Sequence, residues 1–205
     1  MAPPLCAYAF TASRNWLVGV LTLVSSLQSS NGPQSPLCGY RILWHPELAD
    51  TVFTPGEREL VETVAGHPKR VQWVRVNSTR LQQYQRLPYM REGALQSLVK
   101  LELFFTPHTE ARSIVFLDVD MLVMHNLTFV HSAVLADWRN TETPWRLHGS
   151  QNDYGIMGGW VHSRETTPRN PKHINCGFFA FATPVPASFI AAVEGRIAER
   201  INKNI

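Results

Sequence analysis

The sequence predicts an α/β fold in a single domain, with a mostly parallel central sheet flanked by helices. Short runs rich in β-branched and aromatic residues alternate along the chain with amphipathic segments of helical spacing. The run 114–117 is apolar at every position, which is typical of a parallel strand buried on both faces. The chain of 205 residues is 44% hydrophobic, and it has no internal repeat or low-complexity segment. We therefore expect one compact core.

The first elements follow from hydrophobic spacing. We predict a strand over residues 5–11, a loop over 12–16 and a helix over 17–27. One face of that helix collects four apolar side chains, Val20, Leu23, Val24 and Leu27. We interpret the apolar stretch as a helix rather than as a signal peptide, because no charged leader precedes it and it is too short to span a bilayer.

The middle of the chain continues the alternation of strands and helices. A Gly- and Pro-containing break at 31–36 precedes an apolar element at 40–44. An amphipathic helix follows at 56–64, and a strand at 71–76. The helical pattern over 94–105 is the clearest in the sequence, and Pro107 ends it.

The last third of the chain is less regular. Residues 137–173 are polar and aromatic and are predicted to form a long loop that carries variable contacts. Residues 175–181 restore a strand pattern, and 187–201 predict a closing helix.

Two carboxylates stand out at the end of the buried run. If the strand continues through Asp118, Val119 and Asp120, the two acidic side chains point to the same side. A close carboxylate pair is costly without a compensating cation, and oxygen ligands suit Mg²⁺ or Mn²⁺. The alternative is a strand that simply ends in two solvated acids. The position favours the metal site, because α/β folds bind ligands at the carboxyl ends of their strands.

Charge and cysteine content exclude several classes of protein. A net charge of +3, dispersed along the chain, does not indicate a nucleic-acid partner. Cys6, Cys38 and Cys176 are far apart in sequence, so they suggest neither a paired zinc motif nor a disulfide framework. We therefore expect a reducing, cytoplasmic compartment and no membrane span. Without a signal sequence, the glycosylation patterns at 77–79 and 126–128 are most simply chance matches.

Four landmarks, in order, resemble those of the family 8 glycosyltransferases, typified by glycogenin and the bacterial galactosyltransferases. They are Ala7-Tyr-Ala-Phe-Thr11 with Trp16, Gly19 and Ser25-Ser-Leu27; Arg91 followed by Lys100-Leu; Val115-Phe-Leu-Asp-Val-Asp-Met-Leu-Val123 with Asn126-Leu127; and Asn175-Cys-Gly-Phe-Phe-Ala-Phe181. Together they cover most of the chain. The last departs from the family pattern, because Cys176 replaces the usual serine.

The resemblance implies a GT-A, Rossmann-like fold and a hexosyltransferase that uses a nucleotide-sugar donor, usually UDP-linked, with Mn²⁺ or Mg²⁺ and retention of anomeric configuration. It assigns the metal to Asp118 and Asp120. It places Lys100 near the donor phosphates or sugar, and Asn175 at the donor sugar. For Lys100 the alternative is a helix-surface lysine with a solvated head.

The remaining donor residues are also implied by the resemblance. Thr11, Ser13 and Trp16 match where the family holds uracil and ribose, with Val119 and Gly177 on the neighbouring strands. Trp16 either stacks on the base or packs as a core residue beneath the first helix. Arg91 either binds phosphate or sugar oxygens or is merely solvated.

One departure bears on activity. The family's Asp-Gln-Gly and His-x-x-Gly-x-x-Lys-Pro segments, which supply a third metal ligand, are not found after residue 181. We expect residues 1–205 to form a single domain that is a minimal form, a truncated product or a domain needing a partner. Two other functions stay open: an inactive nucleotide-sugar-binding module, and a haloacid dehalogenase-like phosphohydrolase with Asp118 as nucleophile. The acceptor, a glycan, protein or small molecule, and the oligomeric state are not indicated.

Overall fold

The computed structural model describes residues 6–31, 38–48, 51–87, 98–108, 110–139, 145–151 and 174–203. Its strands are β1 (Cys6–Thr11), β2 (Gly39–Trp44), β3 (Val71–Arg75), β4 (Ser113–Leu117), β5 (Leu147–Gln151) and β6 (Ile174–Ala182). Its helices are α1 (Leu17–Asn31), α2 (Pro55–Val64), α3 (Ser78–Gln85), α4 (Glu102–Phe105), α5 (Thr128–Arg139) and α6 (Ala187–Asn202), and a 3-10 turn spans Arg14–Trp16.

The six strands form one sheet in the order β3-β2-β1-β4-β6-β5. The pairs β1–β2, β2–β3 and β1–β4 are parallel, whereas β6 runs antiparallel to both β4 and β5. The predicted α/β class and mostly parallel sheet are confirmed. The chain moves outward from β1 to β3 and then returns to the other side of β1, so β1 and β4 flank the point where the strand order reverses.

Helices pack on the sheet through apolar stripes. In α1 the buried residues are the predicted Val20, Leu23, Val24 and Leu27. The helix α2 begins with a capping box, in which Thr54 accepts a hydrogen bond from the Glu57 backbone N–H and the Glu57 side chain accepts one from the Thr54 backbone. The helices predicted over 17–27 and 56–64 are thus present as α1 and α2.

Two apolar clusters lie on the two faces of the sheet. Alternate strand residues divide between them: Tyr8 and Phe10 of β1 join one cluster, whereas Ala7 and Ala9 join the other. Phe116 and Phe179 stack across the β4–β6 pair with ring centroids 4.8 Å apart. Burial on both faces explains why the β4 run is apolar throughout.

Two predictions of secondary structure need correction. The helix expected over 94–105 is interrupted by a turn at Lys100–Leu101 and resumes as α4, while residues 88–97 lie outside the described part. The region expected to be loop from 137 contains the end of α5 and the strand β5. The sequence of β5, Leu-His-Gly-Ser-Gln, has little strand propensity, and its pairing with β6 determines its conformation.

The cysteines also differ from expectation. Cys6 and Cys38 form a disulfide that joins the start of β1 to the residue before β2, with their Cα atoms 4.7 Å apart. The expectation that no disulfide forms is therefore wrong. The parallel pairing of β1 with β2 brings together two cysteines that are 32 residues apart in sequence. In the described part of the chain, no helix has the length and apolar character needed to cross a membrane.

Candidate functional site

The candidate site lies where the carboxyl ends of β1 and β4 meet. These neighbouring parallel strands are in register at Ala9 and Phe116, so the segments that follow them leave the same edge of the sheet. The segment after β1 is the 3-10 turn Arg14–Trp16, and the segment after β4 carries Asp118 and Asp120. Ligands of open α/β sheets bind at such a reversal of strand order.

The two acids lie in a turn rather than in a strand. The strand β4 ends at Leu117, and the Met121 backbone N–H donates to the Asp118 carbonyl at 3.1 Å. The alternation argument used for the sequence therefore does not apply to Asp118 and Asp120. The Asp118 N–H donates to the Gly177 carbonyl at 2.8 Å, which ties the start of this turn to β6. Asp120 is exposed.

Lys100 is held against Asp118. Its Nζ donates to Asp118 Oδ1 at 3.2 Å and lies 4.9 Å from the centre of the Phe116 ring. The Lys100 side chain is 11% exposed, whereas that of Asp118 is 39% exposed. The interpretation of Lys100 as a surface lysine with a solvated head is therefore wrong. The ammonium lies beside a carboxylate and over an aromatic face, and both attract a positive charge.

A cavity of about 400 Å³ lies beside the acidic turn. It is lined by Asn15, Trp16, Val18, Gly19, Thr22, Val119, Asp120, Met121 and Leu122. Trp16 is 52% exposed, so the alternative of a core tryptophan is wrong. An exposed indole at the wall of a cavity offers a flat face to a planar ligand.

Gly19 permits this close packing between α1 and the acidic turn. A Cβ atom at this position would lie 3.1 Å from the Val119 carbonyl oxygen and 3.4 Å from the Trp16 ring. The contact with the carbonyl oxygen is tight for a side chain, so glycine allows the helix and the turn to approach. Sequence reasoning assigned Gly19 no role beyond its place in a motif.

Two of the other predicted donor residues, Thr11 and Ser13, lie at the same edge of the sheet. Thr11 ends β1 and is half-buried. Ser13 is buried, and its carbonyl accepts the Trp16 N–H at 2.9 Å. Asn175 lies in β6, but its side chain falls outside the described part of the structure, as does the whole of Arg91.

Sequence reasoning missed one wall of the cavity. Val18, Thr22 and Leu122 line it, although none of them was singled out in the sequence as a donor residue. Val18 and Thr22 are four residues apart on α1 and therefore share a face. Neither belongs to the predicted buried stripe of that helix. Their position on another face of α1 was the sequence signal that they could line a site.

The chemistry of the acidic turn fits a divalent cation bound together with its substrate. Asp118 and Asp120 offer hard oxygen donors that remain accessible, and Mg²⁺ is commonly bound by one or two carboxylates plus substrate phosphates. Lys100 adds a positive charge at the same place, which suits an anionic ligand.

A different group of possible metal ligands occurs at the other end of β1. The Sγ atoms of Cys6 and Cys38 and a ring nitrogen of His131 lie within 4.8 Å of one another. The two sulfur atoms are bonded to each other, which removes them as thiolate ligands. His131 Nδ1 is hydrogen-bonded to Ser113 Oγ at 2.8 Å, and burial lowers the pKa of His131 to about 4.

Comparison with solved structures identifies the fold. The chain superposes on the galactosyltransferase LgtC, solved with donor and acceptor sugar analogues, with a TM-score of 0.60 and 16% identity. The chain has the GT-A fold. The bifunctional glycosyltransferase WbbM is a further neighbour, with a TM-score of 0.50 and 14% identity.

The matched regions differ in extent. The LgtC alignment covers 86% of this chain but 57% of LgtC, and the WbbM alignment covers 98% of this chain but 34% of WbbM. This GT-A chain thus spans little more than half the length of LgtC. No protein-family model matches the sequence. No curated protein sequence matches it either.

Proposed function

We propose that the chain is a metal-dependent glycosyltransferase that moves a hexose from a nucleotide-sugar donor, UDP-linked, to an acceptor hydroxyl. One observation carries this proposal: a cavity with an exposed tryptophan lies directly beside an acidic turn to which a lysine is bound. The aromatic wall suits a nucleobase, and the charged edge suits a diphosphate with its cation. The GT-A fold supports the same interpretation.

The proposed donor contacts are described from the nucleobase towards the sugar and the diphosphate. Trp16 stacks on the base, and Thr11 and Ser13 bind the base or the ribose. The Val119 and Gly177 backbones approach the ribose and the sugar, and Arg91 and Asn175 bind donor oxygens. Asp118 and Asp120 would hold Mn²⁺ or Mg²⁺. When bound, the cation would neutralise charge that accumulates on the diphosphate leaving group.

Lys100 is proposed to act on the bond that breaks between the donor sugar and the diphosphate. During transfer the bond from the sugar C1 to the diphosphate oxygen breaks, a bond from C1 to the acceptor oxygen forms, and the acceptor hydroxyl passes its proton to the departing diphosphate. The hydrogen bond to Asp118 holds the Lys100 ammonium beside the proposed cation site. In that position the ammonium can stabilise the departing diphosphate. We further propose that transfer retains the anomeric configuration, in line with the family resemblance.

Two alternatives make different predictions. A binding module without activity would bind the donor and release nothing. A haloacid dehalogenase-like phosphohydrolase would release phosphate from phosphomonoesters, with Asp118 as nucleophile. The GT-A fold favours transfer over phosphohydrolysis.

The test measures binding and turnover together. UDP-hexoses are titrated calorimetrically with Mn²⁺, and UDP release is assayed alongside phosphate release. Asp118→Ala and Asp120→Ala are expected to weaken Mn²⁺-dependent donor binding at least about tenfold while the chain stays folded. Asp137→Ala is the matched control, because its side chain has the same 39% exposure as that of Asp118 and pairs with His148 instead. Equal binding by all three variants would refute the metal site.

A further inference from the structure

The buried disulfide bears on where the chain matures. Cys6 and Cys38 are 3% and 1% exposed, and each is packed in the apolar cluster between the sheet and α1. Such cross-links form and persist in oxidising compartments and are rare where thiol buffers keep cysteines reduced. This observation argues against the cytoplasmic location that the sequence predicted. In an oxidising secretory compartment, the patterns at 77–79 and 126–128 would be exposed to N-glycosylation.

The pattern at Asn126 lies on an open surface. Met124, His125 and Asn126 are three consecutive exposed residues between β4 and α5. The Asn126 Oδ1 accepts the Thr128 N–H at 2.7 Å, and Nδ2 donates to the Asn31 carbonyl at 3.2 Å. Because the amide has two N–H hydrogens, a substituent on Nδ2 leaves one for Asn31. The acceptor nitrogen therefore lies where a bulky group can be carried without disturbing the core.

Two large apolar side chains near Asn126 in the sequence are exposed. Met124 is 71% exposed and Phe129 is 66% exposed, on either side of Asn126. Exposed apolar patches promote association unless something covers or solubilises them. A carbohydrate on Asn126 would add a bulky, solubilising group near these two side chains.

We infer that the chain matures in an oxidising secretory compartment, where Asn126 accepts an N-linked glycan and Cys6 and Cys38 become cross-linked. Glycosylation joins Asn126 Nδ2 to the anomeric carbon of a lipid-linked oligosaccharyl diphosphate, while the carbon–oxygen bond to the diphosphate breaks and the amide proton leaves with the released lipid diphosphate. The cross-link forms when two thiols pass two electrons and two protons to a disulfide oxidant. Neither step rests on the transferase activity proposed above.

The glycan is tested by secretion from mammalian cells. The full chain is expressed behind a cleavable signal peptide, digested with peptide N-glycosidase F and mapped by mass spectrometry. We expect a glycan on Asn126 that Asn126→Gln removes and that Thr128→Ser, which keeps the pattern, retains. Asn77→Gln serves as a control at the second pattern and should leave the Asn126 glycan in place. A secreted chain with Asn126 unmodified would overturn the assignment.

The compartment is tested by the cross-link. Non-reducing peptide maps of the secreted chain should contain a Cys6–Cys38 cross-linked peptide. The same chain made in a reducing cytosol should contain both cysteines as free thiols, and its unfolding midpoint should lie at a lower urea concentration. Cys6→Ser with Cys38→Ser should lower the urea midpoint of the secreted chain, whereas Cys176→Ser should not. Equal midpoints for the cytosolic and secreted chains, or free thiols in the secreted chain, would overturn the inference.

Discussion

Two acids near Lys100 have opposite surroundings. The Glu102 side chain is 1% exposed and its carboxylate accepts hydrogen bonds from Arg80 Nε at 2.8 and 3.0 Å, the Tyr84 hydroxyl at 2.6 Å and the Asn77 N–H at 3.4 Å. Asp118 is 39% exposed and binds Lys100. A carboxylate surrounded by donors has a structural role, because its lone pairs are already used. Accessible lone pairs make Asp118 suitable for a ligand.

The residues around Glu102 also show that its carboxylate is enclosed. Burial and the bond to the Glu102 carboxylate raise the pKa of Tyr84, so its hydroxyl stays protonated as a donor. Arg80 completes the cluster and also lies 4.4 Å from the Phe105 ring. The chain thus places one acid in a closed network beside α4 and another at an open edge after β4.

The greatest loss of stability should follow from breaking the closed network. Glu102→Ala removes the partner of Arg80 and Tyr84 and should lower the free energy of unfolding by about 3 kcal/mol. Asp118→Ala should change it by less than about 1 kcal/mol, because the carboxylate is partly solvated. Urea unfolding followed by circular dichroism measures both. Similar losses in the two variants would show that the acids do not differ in role.

A pH titration extends the comparison to buried bases. Burial lowers the pKa of His131 to about 4, below the usual value of 6.5. The unfolded chain therefore binds this proton first, so the His131 contribution to stability is complete above pH 6.5 and declines as the pH falls towards 4. The loss should be about 2 to 3 kcal/mol.

Urea midpoints measured between about pH 7 and about pH 4.5 test this expectation, because that window spans most of the change in His131 protonation. His131→Asn should make the pH dependence shallower but not flat, because burial also lowers the pKa of His108 to about 4. Replacement of the exposed His125 by Asn should leave the profile parallel to that of the unmodified chain. A profile as steep in His131→Asn as in the unmodified chain would assign the pH dependence to other groups.

A smaller effect should come from the contact between α1 and the acidic turn. In Gly19→Ala the new Cβ would meet the Val119 carbonyl and shift the turn that carries Asp118 and Asp120. Affinity for UDP with Mn²⁺ should fall about tenfold, or about 1.4 kcal/mol. Calorimetric titration of UDP in the presence of Mn²⁺ measures this change.

Gly195→Ala is the control for Gly19→Ala, because a Cβ atom added at Gly195 would meet no other atom within 4 Å. That helical change should add about 0.5 to 1 kcal/mol of stability and leave calorimetric binding unchanged. Equal affinities of Gly19→Ala and Gly195→Ala for UDP with Mn²⁺ would show that the donor site does not depend on Gly19.

Sequence reasoning succeeded where local chemistry decides the structure. The four apolar residues of α1, the amphipathic spacing of α2 and the apolar β4 run all signal their conformation within a few positions. It failed where distant pairing decides the structure. The strand β5 exists because β6 is beside it. The helix expected over 94–105 is interrupted by a turn at residues 100–101 that its apolar spacing does not signal.

The candidate site shows the same division. Its acidic pair was identified from the sequence because two carboxylates at the end of an apolar run are unusual, whereas its lysine and its tryptophan were implied by the resemblance to the family 8 glycosyltransferases. The arrangement of these residues could not be predicted. The turn at Asp118, the exposure of Trp16 and the cavity wall formed by Val18 and Thr22 depend on how α1 lies against the segment after β4.

Local sequence was enough to predict the α/β class and the buried stripe of α1, because periodicity is a property of short segments. The metal ligands were proposed from residue chemistry and the donor ligands from a family resemblance, and both stay predictions. Only the folded chain reveals that Cys6 meets Cys38, that Lys100 meets Asp118 and that Glu102 is enclosed while Asp118 is open. These features depend on the strand order, which brings together residues that are far apart along the chain.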